Sequence, residues 1–173
     1  MERIDIERPL DAQCDDIVAR YHAPLRRRVP QIRAALSALA AGHRNVAIET
    51  MHRVFDELAE RIESHMAKEE HLLFPAICAL ADSGRDPRSR TRSPFVTILH
   101  PVRMLEAEHA SIESKLDELR ALATEVTGVE TRTAEWQSCI ADLAEFQAVL
   151  LEHHRAENEV LFPQALETER RRL

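Results

Sequence analysis

Apolar residues recur at steps of three and four in four separate stretches of the chain. The first stripe runs Leu25, Val29, Ile32, Leu36, Leu39, and the second runs Val54, Leu58, Ile62 and then Leu72 or Leu73. The third is Val102, Leu105, Ile112, Leu116, Leu119; the fourth is Trp136, Ile140, Leu143, Leu150, Leu161. Such spacing keeps one face of an α-helix apolar. Three polar breaks separate the stripes: Ala41–Asn45, the stretch 82–94 with Gly84, Pro87, Pro94 and several arginines, and Thr127–Thr131. Helices are therefore expected over about 13–41, 46–80, 101–126 and 132–170, with a surface loop at 82–94. Short connections make successive helices antiparallel neighbours. The expected architecture is an all-α, up-down-up-down four-helix bundle, one domain over residues 1–173. Pro24, Pro30, Pro75 and Pro163 fall within or beside the stripes. A proline inside a helix removes a backbone donor and bends it, so bends are expected near each.

Every stripe is interrupted by residues that do not belong in an apolar core. His22 precedes Leu25 on the first stripe, and Ile62 steps to His65 and Glu69 on the second. Leu105 steps to His109 on the third, and Leu150 to His153 and Glu157 on the fourth. Six ionisable side chains thus point inward. Two are carboxylates, which are costly to bury without a positive partner.

The six are also paired. Residues 65–75 (HMAKEEHLLFP) align with residues 153–163 (HHRAENEVLFP) at an offset of 88, with five identities; at an offset of 87, His22 falls on His109. His22 and His65 lie at similar distances either side of the first turn, as His109 and His153 do about the third, which puts all six at one height in an antiparallel bundle. His at i and Glu at i+4 share a helix face. Imidazole with carboxylate suits iron, zinc or manganese, and six such groups exceed one closed tetrahedral zinc site. They suit a dinuclear centre. Of the roughly twelve positions on two six-coordinate ions, two bridging carboxylates take four, a bridging oxygen two and four imidazoles four. About two positions stay open for a small diatomic such as O₂ or NO.

Composition removes several other classes of function. The 173 residues include 23 Lys+Arg and 30 Asp+Glu, giving a net charge of −7, which disfavours general nucleic-acid binding. Three glycines, five Phe, one Trp and one Tyr are too few for a sandwich or barrel. No apolar run reaches the length of a membrane span, and the polar, acidic start (MERIDIERPLDAQCDD) is unlike a signal peptide, so a cytoplasmic location is expected. Cys14, Cys78 and Cys139 are widely spaced with no CxxC pair, which reads as free thiols.

RYHAPLRRRVP at 20–30, HMAKEEHLLFP, EAEH at 106–109 and EHHRAENEVLFP at 152–163 together resemble the hemerythrin-like HHE cation-binding domain over about residues 13–167. Within it they are most similar to the di-iron proteins that repair iron–sulfur clusters after nitrosative and oxidative stress. The resemblance implies a non-haem, oxo- and carboxylate-bridged centre of two iron ions. Its ligands would be His22, His65, Glu69, His109, His153 and Glu157, with Glu69 and Glu157 bridging. It also implies NO or O₂ as the small ligand and a damaged iron–sulfur protein as a partner. The repair proteins usually carry an N-terminal domain with a cysteine pair, whereas here about a dozen residues precede the first helix and Cys14 is alone. A reversible O₂ or NO carrier or sensor without turnover is the alternative. Ferritin-like iron oxidation fits less well, because it uses Glu-x-x-His spacing and more carboxylates.

The remaining histidines fall outside this set. His43 lies 21 residues after His22, roughly 31 Å along a straight helix, and belongs at the other end of the bundle. His52, His71, His100 and His154 read as surface residues, His154 because it has Asn158 rather than a carboxylate at i+4. Tyr21 reads as packing and Trp136 as core. Arg26–Arg28, the arginines of 85–92 and Arg170–Arg172 read as solvated charge.

Overall fold

The computed structural model describes residues 7–43, 45–85, 95–128, 131 and 133–172. Four long rods form an all-α bundle, and three of them contain a single π turn. The first rod is α1 (Leu10–Ile17), a π turn at Val18–His22, and α2 (Ala23–Gly42). The second is α3 (Val46–Lys68), a π turn at Glu69–Leu73, and α4 (Phe74–Arg85). The third is α5 (Leu99–Glu125), without interruption; the fourth is α6 (Ala134–Ala156), a π turn at Glu157–Leu161, and α7 (Phe162–Arg170). Packing of α2 on α3, α3 on α5, α5 on α6 and α6 on α2 closes the ring. This is the up-down-up-down order that short connections dictate. Among the described residues no helix is long and apolar enough to cross a membrane.

The π turns carry out what the prolines require. Pro24, Pro75 and Pro163 each stand two residues after the last residue of a π turn. A proline ring in a regular α-helix collides with the carbonyl four residues back, which here lies inside the widened turn. The N–H groups of Ala23, Phe74 and Phe162 reach back five residues, to the carbonyls of Val18, Glu69 and Glu157. The expected bends are therefore local widenings of continuous rods. Pro30 differs: α2 runs through it unbroken. The loop expected over 82–94 begins later than its composition suggests, because α4 continues to Arg85; residues 86–94 lie outside the described residues.

The core is split in two. One apolar cluster fills the end of the bundle near the first turn, with Leu36, Met51, Phe55, Leu58, Leu116, Trp136 and Phe146. The other fills the opposite end, with Leu10, Ile17, Tyr21, Phe74, Ile77, Val102, Leu161 and Phe162. Between them lies a polar layer, and all of its principal side chains are buried.

Candidate metal centre

The six residues singled out by the stripes form that layer. His22, His65, Glu69, His153 and Glu157 are fully buried, and His109 is 1% exposed. They fall into two half-sites. In one, the Nε2 atoms of His22 and His153 are 3.1 Å apart, with Glu69 Oε2 at 3.2 Å from His22 and Glu157 Oε2 at 3.1 Å from His153. In the other, the Nε2 atoms of His65 and His109 are 2.9 Å apart, with Glu69 Oε1 at 2.9 Å from His65 and Glu157 Oε2 at 3.2 Å from His109. Glu69 gives one oxygen to each half, and Glu157 lies between the two. Two nitrogens bound at right angles to one ion, each about 2.1 Å from it, would be about 3 Å apart. Both imidazole pairs match that spacing.

The helices orient the rings from outside. His22 Nδ1–H donates to Glu70 Oε1 at 2.6 Å, and that carboxylate is held in turn by Arg26 at 2.8 Å. His65 Nδ1–H donates to Glu108 Oε2 at 3.1 Å, and Lys68 caps Glu108. His109 Nδ1–H donates to Asn158 Oδ1 at 3.0 Å. Each outward Nδ1–H leaves an inward Nε2 lone pair, the arrangement metal-binding imidazoles adopt. Arg26 and Lys68 thus have specific partners here, and Arg26, expected as solvated charge, is part of the frame around His22. Tyr21 stacks on His153 with ring centroids 5.7 Å apart, which agrees with the packing role expected for it.

The buried carboxylates and imidazoles of the layer hold one another in charged form against the cost of burial. Neither oxygen of Glu69 or Glu157 makes a well-directed hydrogen bond, although all four are buried. Burial opposes the Glu157 charge, yet His153 and His109 beside it hold its carboxyl well below the usual range. Burial likewise opposes charge on His65, but Glu69, Glu157 and Glu108 raise its pKa to about 9. His22 is raised in the same way, against burial, by Glu69 and Glu70. Without a cation, the site holds protons where a cation belongs.

Among the histidines, sequence reasoning misplaces His154. His154 is not on the surface: it is 1% exposed, its ring stacks on His109 at 4.0 Å and 16°, and its Nδ1–H donates to Glu113 Oε1 at 2.9 Å. Its Nε2 is buried with no hydrogen-bond partner, and it groups with His65 and His109 within ligand distance. Burial and the neighbouring imidazoles push its pKa far down. The i+4 test fails because Asn158 serves His109, across the helix pair, and not His154. His71 and His100 are exposed, and His52 is half-buried near Asp56. His43 closes the end of α2, donating its N–H to Leu39, remote from the layer.

The profile of the hemerythrin HHE cation binding domain matches residues 15–93 and 100–172. The chain belongs to the hemerythrin HHE family. The two matched stretches divide it as the internal repeat does, one helix hairpin each. Among curated relatives of this hemerythrin-type chain is the iron–sulfur cluster repair protein YtfE of Edwardsiella ictaluri (strain 93-146). It is 30% identical over 160 residues, covering 91% of the chain and 66% of the relative. The YtfE proteins of Yersinia pestis (strain Pestoides F) and Yersinia pseudotuberculosis serotype O:1b (strain IP 31758) are 28% and 29% identical, covering 94% of the chain and 69% of each relative. The chain thus spans about two thirds of the length of these relatives.

Proposed function

We propose that this hemerythrin-type domain holds two non-haem iron ions. His22 and His153 would bind one and His65 and His109 the other, with Glu69 and Glu157 bridging. The observation that carries this reading is the pair of fully buried carboxylates, without well-directed hydrogen bonds, set among four inward-facing imidazole nitrogens. A bound iron pair supplies one-electron redox chemistry and open positions for a diatomic ligand. The similarity to proteins named for iron–sulfur cluster repair supports a role in nitrosative and oxidative stress. In that role the domain binds or reduces NO, or supports repair of a damaged iron–sulfur protein.

The chain's own residues do the rest. Glu70, Glu108 and Asn158 fix the ring orientations, and the two apolar clusters keep bulk water from the layer. The test is metal content. The protein purified anaerobically with iron should hold two irons per chain, and the Glu69→Ala/Glu157→Ala double variant should hold none. Full iron retention by that variant overturns the reading.

A second reading is a reversible O₂ or NO carrier or sensor. It is favoured by the dry walls of the layer, where Leu25, Ile62 and Leu150 are fully buried and Leu105 and Ile112 nearly so. An optical spectrum of the reduced, iron-loaded protein given one equivalent of O₂ and then purged separates the two. A band lost on purging means a carrier; a persistent oxidised spectrum means redox turnover.

A further inference from the structure

Cys14 is not alone. It lies in α1, and Cys78 lies in α4, on the rod packed beside it. Cys14 precedes His22 by eight residues, and Cys78 follows Glu69 by nine. On antiparallel neighbours both counts correspond to roughly 12–14 Å above the polar layer, so the two cysteines share one level. Both belong to the apolar cluster at that end, Cys14 buried at 3% exposure and Cys78 half-buried. Packing of α1 on α4 within that cluster sets the two thiols as electrostatic neighbours. That proximity, with burial, raises the pKa of Cys14 far above the ordinary thiol value, so it stays protonated. Cys139 lies in the opposite cluster, in α6, and meets neither.

Two cysteines at one level on helices packed against each other meet the first requirement of a reversible disulfide, since a bridge forms only where the backbones already stand close. We propose that Cys14 and Cys78 are a redox-active dithiol that hydrogen peroxide oxidises to a disulfide tying α1 to α4. The inference does not depend on the metal reading. Cys78, the more exposed of the two, meets the peroxide first. Its sulfur attacks one peroxide oxygen, the O–O bond breaks, water leaves and a sulfenic acid remains on Cys78. The Cys14 thiol then attacks that sulfenic sulfur and passes its proton to the departing hydroxyl, so that the S–S bond forms as the S–O bond breaks and a second water leaves. The two sulfurs supply two electrons and the two thiol protons end in the waters. A dithiol reductant reverses the step. The bridge pins α1, which leads through the π turn Val18–His22 directly to His22, and so couples the oxidation state of the thiols to one side of the polar layer.

The experiment treats the full-length protein, as isolated, with hydrogen peroxide and in parallel with diamide, a thiol oxidant that acts without metal. Thiols are counted in denaturant, intact mass is measured, and a non-reducing peptide map is taken. Expected are loss of two of the three thiols, a mass lower by two hydrogen atoms, a Cys14–Cys78 peptide pair, and recovery on adding dithiothreitol. Cys139→Ser should still form the pair. Cys78→Ser, at the half-buried position, should form no intramolecular bridge. An unchanged thiol count, a bridge that includes Cys139, or conversion of Cys78 to sulfinic or sulfonic acid without a bridge overturns the proposal.

Discussion

At the scale of the residue, the polar layer is legible because burial of a carboxylate is expensive and the apolar stripes leave no ambiguity about direction. Glu69 and Glu157 sit where a leucine would satisfy the pattern, and both are fully buried. What the stripes do not give is the frame around the candidate ligands. Glu70 and Glu108 are one residue away from a stripe position, so sequence periodicity places them at its edge, and only the packing of neighbouring helices turns them onto His22 and His65. His154 escapes for the same reason: adjacent helical residues differ in direction by about 100°, and its partner His109 belongs to another helix. The frame is testable. Glu108→Ala removes the acceptor for His65 Nδ1–H and frees the ring to turn. Metal affinity in that variant should fall roughly 10- to 100-fold with the helical content unchanged, as outer partners of ligating histidines contribute on that scale. Equal affinity in a competition titration would show that Glu108 does not orient His65.

At the scale of the element, the four rods follow from periodicity, but the π turns do not. Proline positions signal an irregularity; they do not show that Pro24, Pro75 and Pro163 are each accommodated by one widened turn while Pro30 is not. The consequence reaches the site, since two of the widened turns begin at Glu69 and Glu157 and the third ends at His22. The correspondence between the two helix hairpins is broken in this respect, because His109 lies in the uninterrupted α5. The first interhelical connection offers two stability tests remote from the layer. Asn45 caps α3, its side-chain oxygen accepting from the N–H groups of Ala47 at 2.9 Å and Ile48 at 3.4 Å. Asn45→Ala should cost about 1 kcal/mol in a urea denaturation. Gly42 ends α2; a methyl group placed there would meet nothing within 4 Å, and its φ is not positive. Gly42→Ala should therefore stabilise the protein by about 0.5–1 kcal/mol. A loss of stability there would mean that the turn needs the freedom of glycine.

At the scale of the whole molecule, the thiol pair shows most clearly what a linear reading misses: Cys14 and Cys78 are 64 residues apart, and neither belongs to a stripe. The polar layer, by contrast, divides the entire core, so its charge state bears on global stability. Consider the metal-free protein. His65 and His22 have folded pKa values raised above the ordinary 6.5, His65 to about 9. Their stabilisation is complete below about pH 6.5 and is lost as pH rises through the folded values. His154 works in the opposite sense. Its folded pKa is depressed, so the unfolded chain binds a proton that the folded chain refuses, and stability falls as pH drops below 6.5. Glu157, also depressed, adds to the acid-side loss below its ordinary 4.5. The metal-free protein should therefore be most resistant to urea at about pH 6.5, with lower midpoints at about pH 5 and 9.5. In the iron-bound form proposed above, metal takes the place of the protons on His65 and His22. It should release protons to solvent, raise the midpoint at every pH and abolish the decline between about pH 6.5 and 9.5. A metal-free midpoint that stays flat over that alkaline interval would mean that the carboxylate neighbours do not hold the imidazoles protonated, and that metal uptake is not a proton exchange.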